Sequence, residues 1–268
     1  MFSHFVFGSD DPAAVEPFYA AVLPVLGFVP RRADAEGLVF THQSGLPWIA
    51  VRRPADGQPF ARGNGYHVAF HVPDAETVQR FHGAALAAGG SDEGAPGLRK
   101  AYAPDYYGAY VRDPHGNKLQ AVTYLDGRKA GPGGDVVSHV TLGSNDLQRS
   151  CAFYQGLLST LGLVRLPEEE SDELDYAFGH AGCALPVIFP QLAFDERAAR
   201  PPHGSHPVFL AADRAAVERF HREGLRLGGG DLGAPAICPD DGPPGYGAGI
   251  ADPDGNPLYA RCPTPANG

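Results

Sequence analysis

The sequence predicts an α+β protein made of four βαβββ units arranged as two tandem domains. The first observation behind this prediction is an internal repeat, because Ser3–His4 near the start returns as Ser138–His139. The second is the order of strand, helix and turn signals, which is the same in each half. The third is length, since 268 residues suffice for two domains that each bury a core.

Two further segments carry the repeat. The Phe18–Tyr19 pair returns 135 residues later as Phe153–Tyr154. An Asp-Pro-x-Gly-Asn segment begins at Asp113 and returns 139 residues later at Asp252. Proline fixes one φ angle and glycine or asparagine accepts a positive φ, so this segment predicts a hairpin turn in each half.

The elements of the first half follow in order along the chain. Asp11–Pro12 opens the first helix with a capping acid and a proline at its first position, and Pro17 and Pro24 predict that this helix kinks or ends early. Asp74 caps a second helix that Gly89 stops. The predicted strands are residues 2–7, 38–42, 47–52, 66–72, 106–112 and 118–124.

The repeat also divides the chain. We predict a first domain at residues 1–126, a glycine-rich linker at 127–134 and a second domain at 135–263.

Composition narrows the partners and the compartment. The chain has 21 Lys and Arg residues against 31 Asp and Glu residues, a net charge of -10, and no basic run that could follow a phosphate backbone. It has no apolar stretch long enough to span a bilayer. We therefore expect a cytoplasmic protein with a small-molecule ligand and with neither nucleic acid nor a membrane as partner.

Strand alternation predicts where the recurrent histidines point. If the apolar positions of each strand pack under the helices, His4 in the first strand faces the other way, and so do His67 in a later strand and Gln120 in the last. The same alternation in the second half selects His139, His206 and Tyr259. We expect each half to direct its own set of three side chains into one cavity.

This order of motifs resembles the vicinal oxygen chelate superfamily, which includes glyoxalase I, bleomycin-resistance proteins and extradiol dioxygenases. The resemblance covers both halves and implies cup-shaped mixed sheets with helices on their convex faces. In this superfamily two histidines and a carboxylate often hold a divalent metal inside the cup. The resemblance therefore makes His4 and His67 metal ligands in the first half, and His139 and His206 in the second.

The third ligand position departs from the superfamily pattern. Where a carboxylate is usual, the chain has Gln120 in one half and Tyr259 in the other. Glutamine serves as a ligand in some glyoxalase I proteins, whereas tyrosine must first lose a proton with a pKa near 10. His4, His67 and Gln120 are thus the stronger candidates for one divalent ion (Fe, Zn, Mn or Ni), and His139, His206 and Tyr259 are the weaker set.

Aromatic residues are concentrated in the first half and suggest where an organic ligand binds. Apolar walls with a few polar groups are typical of small-molecule pockets. The residues proposed to contact a substrate are Trp48, His71, Tyr107 and Tyr110.

Besides catalysis without a metal, about which the sequence says almost nothing, two functions remain open at this point. One is a metal-dependent lyase or dioxygenase that acts on a small organic molecule in the cup. The other is a metal-free protein of the bleomycin-resistance type that binds an organic compound such as an antibiotic. The catalytic residues, the substrate and the choice between a monomer that acts as a pseudo-dimer and a homodimer are not determined by the sequence.

Overall fold

The structure is a computed structural model that describes residues 2–127, 136–166, 176–182, 187–238 and 244–263. Apart from Gly127, the predicted linker at 127–134 lies outside the described residues. Within the described ranges no helix is both long enough and apolar enough to cross a membrane.

The first half contains two βαβββ units. Unit 1 comprises β1 (Phe2–Gly8), α1 (Pro12–Val22), β2 (Phe28–Asp34), β3 (Gly37–His42) and β4 (Trp48–Arg52). Unit 2 comprises β5 (His67–His71), α2 (Ala75–Ala87), β6 (Ser91–Leu98), β7 (Tyr106–Arg112) and β8 (Lys118–Tyr124).

The second half repeats this order. Unit 3 comprises β9 (Val137–Gly143), α3 (Leu147–Ser159), β10 (Leu163–Arg165), β11 (Phe178–His180) and β12 (Ile188–Gln191). Unit 4 comprises β13 (His206–Leu210), α4 (Arg214–Arg226), β14 (Gly230–Cys238), β15 (Gly245–Ala251) and β16 (Pro257–Pro263). The α+β class and the four repeated units are thus confirmed.

Each of the four helices begins after an aspartate whose side chain accepts a hydrogen bond from a backbone N–H three residues later, which satisfies a donor that the helix leaves free. The four caps are Asp11, Asp74, Asp146 and Asp213. Helix α1 ends at Val22 and continues as a 3₁₀ turn, Leu23–Leu26, as the two prolines predict.

The strands form two eight-stranded mixed sheets, and each sheet takes one unit from each half. The first sheet has the order β14-β15-β16-β13-β1-β4-β3-β2, so it joins unit 1 to unit 4. The second has the order β10-β11-β12-β9-β5-β8-β7-β6 and joins unit 2 to unit 3. Strands β1 and β13 pair antiparallel across the halves, and so do β5 and β9.

The expectation that each half directs its own residues into one cavity is therefore wrong. The units of one half instead contact each other through their helices, α1 with α2 and α3 with α4, and share a common core. The first strand of each unit pairs instead with the first strand of a unit in the other half.

Alternation along the strands separates two faces of each sheet. In the first sheet, Phe5, Phe7 and Phe209 turn toward the helices and are completely buried in the main core. Val6, Val39, Trp48 and Ala50 form a separate apolar cluster on the opposite face. We call this opposite face the first cup, and the corresponding face of the second sheet the second cup.

The two repeated motifs meet in a buried hydrogen-bond network. The Tyr19 hydroxyl donates to a carboxylate oxygen of Asp113 at 2.6 Å, and Tyr154 donates to Asp252 at the same distance. Asp113 also accepts hydrogen bonds from the backbone N–H groups of its own turn, and Asn117 donates to the Gly8 carbonyl at 2.9 Å. The turn that begins at Asp113 thereby fastens helix α1 and the end of β1 to the hairpin of unit 2.

Candidate functional site

The first cup contains residues from both halves of the chain. His4 on β1 is in register with Trp48 on β4, and the two rings stack almost parallel, 9° apart with centroids separated by 3.6 Å. His206 on β13 contacts Tyr259 on β16, with ring centroids 4.4 Å apart. His4 and Trp48 are buried, while His206 and Tyr259 are half-buried.

A tryptophan nitrogen in the first cup has no hydrogen-bond partner among the described residues. Nε1 of Trp48 is buried and makes no hydrogen bond to any of them. An indole nitrogen can only donate, so the atom needs an acceptor. Leaving such a donor unpaired costs about 1–3 kcal/mol. A ligand that carries an acceptor would remove this cost.

Positive charge reaches the first cup from two arginines. Arg52 follows Trp48 and Ala50 on the same face of β4, and Arg261 follows Tyr259 on the same face of β16. Burial lowers the pKa of His4 well below its usual value, and His206, Arg261 and Arg52 lower it further. Burial, followed by the charge of Arg52, lowers the pKa of His206 to about 3. Both imidazoles are therefore neutral at pH 7.

The second cup brings together His67, His139 and Gln120. The rings of His67 and His139 lie 5.5 Å apart in an edge-to-face arrangement. Nε2 of His67 lies 3.0 Å from Oε1 of Gln120, and its Nδ1 lies 2.7 Å from the Thr141 hydroxyl. The Gln120 amide in turn donates to the Tyr106 hydroxyl.

These contacts fix the direction of a hydrogen-bonded chain. Because Oε1 of Gln120 can only accept, Nε2 of His67 carries the proton, and Nδ1 then accepts from the Thr141 hydroxyl. Burial, with the nearby His139 and Lys118, holds the pKa of His67 well below its usual value, against a smaller upward effect of Gln120. Burial lowers the pKa of His139 to about 3.

Aromatic side chains close around His67. The Phe194 ring lies 5.5 Å from the His67 ring and the Tyr110 ring lies 5.7 Å from it. The Lys118 ammonium lies 4.0 Å from the centre of the Phe194 ring and 5.0 Å from that of Tyr110. The His67 ring and the Gln120 amide are thus hydrogen-bonded and covered by neighbours within the chain.

The structure separates the residues that the sequence grouped together. His4 lies in the first cup, whereas His67 and Gln120 lie in the second, because β1 pairs with β13 and not with β5. In the same way His139 lies apart from His206 and Tyr259. The sets that the structure does assemble are His4 with His206 and Tyr259, and His139 with His67 and Gln120.

The proposed substrate contacts also divide. Trp48 lies in the first cup and Tyr110 in the second. Tyr107 lies on the other face of β7, where its hydroxyl accepts from Gln79 of helix α2 at 3.2 Å, so it cannot line a cup. His71 ends β5 in register with Val122 and is half-buried.

The prediction from sequence does not include several residues that lie on the cup faces. Arg52, Arg261 and Lys118 lie on cup faces two or four residues along a strand from a residue already singled out, so alternation alone could have found them. Thr141 is two residues from His139 and could have been found in the same way. Phe194 lies in a loop after β12, and nothing in its sequence context indicates that it covers His67.

The donor atoms do not fit a divalent metal in either cup. Among the described residues no group of three or more His, Cys, Asp or Glu could hold an ion. In the second cup the amide oxygen of Gln120 and Nε2 of His67 already bind each other, and in the first cup two imidazoles meet a phenol. Neither arrangement supplies the anionic oxygen that hard and borderline cations prefer.

Comparison with known sequence families identifies the chain. The Glyoxalase-like domain family matches residues 4–122, and the Glyoxalase/Bleomycin resistance protein/Dioxygenase superfamily matches residues 136–258. The chain belongs to the glyoxalase/bleomycin resistance protein/dioxygenase superfamily. It is a tandem two-domain member, as the repeated motifs indicate.

Solved structures of this superfamily share the fold over nearly the whole chain. Glyoxalase I from Zea mays aligns with a TM-score of 0.68 and 18% identity, covering 97% of this chain and 92% of that chain. A protein from Bacillus subtilis subsp. subtilis strain 168, described as a candidate dioxygenase, aligns with a TM-score of 0.66 and 18% identity over 98% and 85%. No curated protein matches. At this identity the likeness establishes the fold alone.

Proposed function

We propose that this superfamily member binds a small planar organic molecule in its first cup without a divalent metal. The observation that carries the proposal is the parallel stack of His4 on Trp48, together with a buried indole N–H that has no partner among the residues that the structure describes. The stack offers an aromatic surface, and the N–H offers one directional contact.

The walls of the first cup suit such a ligand. Val6, Val39 and Ala50 pack with Trp48 as an apolar cluster, and His206 with Tyr259 closes the other side. Apolar walls with few polar groups favour organic ligands. Contact between aromatic rings contributes about 0.5–1.5 kcal/mol beyond the area that it buries.

The proposal has a direct optical test, because Trp48 is the single tryptophan of the chain. Titration with a series of planar aromatic compounds should change the fluorescence of Trp48 in a saturable way, and excess EDTA should leave the titration unchanged. His206→Gln should weaken binding, whereas the matched change in the second cup, His67→Gln, should not. Equal weakening by both variants, or no saturable response, would contradict the proposal.

A metal-dependent lyase or dioxygenase is the second candidate, and one observation favours it. In the second cup, His67 has both another imidazole and an amide oxygen beside it: the ring centroids of His67 and His139 are 5.5 Å apart, and Nε2 of His67 lies 3.0 Å from Oε1 of Gln120. Elemental analysis of protein purified without chelator decides between the two. One tightly held ion per chain that His67→Gln removes would overturn the metal-free proposal and support this candidate.

A further inference from the structure

We propose, resting on the function just proposed, that Ser3 is a positioning residue that makes His4 a hydrogen-bond donor to the ligand of the first cup. This narrows the class of ligand. The planar organic molecule then carries a hydrogen-bond acceptor, such as a carbonyl oxygen or a ring nitrogen, that meets the N–H of the His4 ring.

A β-bulge brings Ser3 to the His4 ring. Along β1 two steps separate Phe2 from His4, whereas their partners on β13 are adjacent residues, so Ser3 is the extra residue of the bulge. Neighbouring side chains of a regular strand face opposite sides, and a bulge redirects one of them. The Ser3 hydroxyl thereby lies 3.0 Å from Nδ1 of His4, and both residues are buried.

The direction of this hydrogen bond follows from the surroundings of the hydroxyl. A serine hydroxyl can donate or accept, so the distance alone allows either direction. The Ser3 side chain is buried, and its hydroxyl makes no hydrogen bond to any other described residue. If Nδ1 of His4 carried the proton, the hydroxyl hydrogen of Ser3 would be buried without an acceptor, which is unfavourable. The hydroxyl therefore donates to Nδ1.

The proton of the His4 ring is then carried by Nε2. Burial holds the pKa of His4 well below its usual value, so the imidazole is neutral and has a proton on only one nitrogen. Nε2 lies at the end of the ring away from the backbone and makes no hydrogen bond to any described residue. The indole of Trp48 can also only donate. The His4–Trp48 stack thus offers two N–H donors, and the one acceptor nitrogen is already bound to Ser3.

The second half repeats the arrangement and supplies a matched control. Ala69 and Phe70 are adjacent on β5, whereas two steps separate their partners His139 and Val137, so Ser138 is the extra residue of a bulge in β9. The Ser138 hydroxyl lies 3.0 Å from Nδ1 of His139. Only the pair in the first cup lies beside a tryptophan, because the chain has one.

The first measurement is the position of the proton on His4 in the folded protein. The nitrogen NMR shifts of the ring should show the proton on Nε2 in the wild type. Ser3→Ala should increase the population with the proton on Nδ1, and Ser3→Thr, which keeps a hydroxyl, should retain the proton on Nε2. A proton on Nδ1 in the wild type, or an unchanged ring in folded Ser3→Ala, would overturn the inference.

The second measurement compares quinoline, whose ring nitrogen accepts a hydrogen bond, with naphthalene, which has the same shape and no acceptor. In equilibrium dialysis the wild-type protein should bind quinoline at least about fivefold more tightly, as one additional hydrogen bond predicts. Ser3→Ala should reduce that preference by about threefold and leave naphthalene binding within about twofold. Ser138→Ala, which removes the same contact in the second cup, should change neither affinity.

The outcomes separate this inference from the proposed function. Equal binding of quinoline and naphthalene, or a preference that folded Ser3→Ala retains in full, would overturn the inference and leave the planar-ligand function standing. An equal loss of preference in Ser138→Ala would overturn it in the same way. Binding of neither compound would contradict the proposed function and the ligand class inferred from it. A preference that Ser3→Ala reduces and Ser138→Ala retains supports both.

Discussion

At the scale of single residues, the repeated motifs hold together the helices and hairpins that carry the cup residues. The tyrosine of each Phe-Tyr pair donates to the aspartate of the Asp-Pro-x-Gly-Asn turn in the same half, and both partners are buried. Burial raises the pKa of Asp252, although hydrogen bonds from Tyr154 and Asn256 oppose that rise. The motifs therefore recur because each half needs the same buried network to join its helix to its hairpin.

Removing the tyrosine hydroxyl from this network should destabilise the protein. Tyr154→Phe leaves a carboxylate oxygen of Asp252 with one hydrogen bond fewer, and we expect the free energy of unfolding to fall by about 1–3 kcal/mol. Urea denaturation of the wild type and the variant measures this difference in the free energy of unfolding. The control is Tyr246→Phe, whose hydroxyl makes an exposed contact with Glu218 and should matter by less than about 0.5 kcal/mol. Equal effects of the two variants would show that the buried network is not important for stability.

The cup histidines predict how stability depends on pH. Folding lowers the pKa of His139 to about 3, so the unfolded chain binds more protons than the folded chain between about pH 6.5 and pH 3. Stability must then fall as pH falls through this window, by about 2 kcal/mol for this residue between pH 7 and pH 5. Urea denaturation at the two pH values should show that loss reduced by about the same amount in His139→Gln. An unchanged loss would mean that folding does not lower the pKa of His139, which an NMR titration of its ring would show directly.

At the scale of elements, the sequence predicts the individual helices and strands better than it predicts which strands pair. The hairpin strands at 106–112 and 118–124 and the helix starts at Asp11 and Asp74 were predicted correctly, because caps, prolines and alternation act locally. Alternation also placed Gln120 and His67 on one face. Which unit completes a sheet is not local information, since all four units offer a similar first strand. The prediction therefore assigns His4 and His67 to one site, although β1 pairs with β13 and the two histidines lie in different cups.

The pairing of first strands requires a close approach of two backbones. A Cβ atom on Gly65, just before β5, would collide with the backbone of Gly143 at the end of β9. We expect Gly65→Ala to lower the free energy of unfolding by about 1–3 kcal/mol, because the strands must separate to admit the methyl group.

The matched control for that change is Gly83→Ala. Gly83 is exposed in helix α2 with open space around it, so alanine there should stabilise the protein by up to about 1 kcal/mol. If the close approach matters, urea or thermal unfolding should show a lower free energy of unfolding for Gly65→Ala and a higher one for Gly83→Ala. A change of the same sign in both variants would contradict the importance of the close approach.

At the scale of the whole molecule, each cup is a product of both halves. The first cup takes His4, Trp48 and Arg52 from the first half, and His206, Tyr259 and Arg261 from the second. Polar contacts across the halves reinforce the strand pairs. The Ser205 hydroxyl accepts from the Gly8 N–H at 2.8 Å and donates to Asn117 at 2.7 Å, and the Thr141 hydroxyl accepts from the His67 N–H at 3.2 Å. Neither half alone can assemble a complete cup.

This shared construction predicts that the covalent connection between the halves is not needed once the protein has folded. A protease site inserted between residues 130 and 131 should allow the chain to be cut into two fragments. Both fragments should still elute together at the volume of the uncut protein, because β1 stays paired with β13 and β5 with β9. The fluorescence titration of Trp48 should also survive the cut, since His4 and Trp48 remain beside the residues that the second half contributes. Separation of the fragments in native buffer, or a cut protein in which the first fragment alone responds to ligand, would show that the cups do not depend on pairing between the halves.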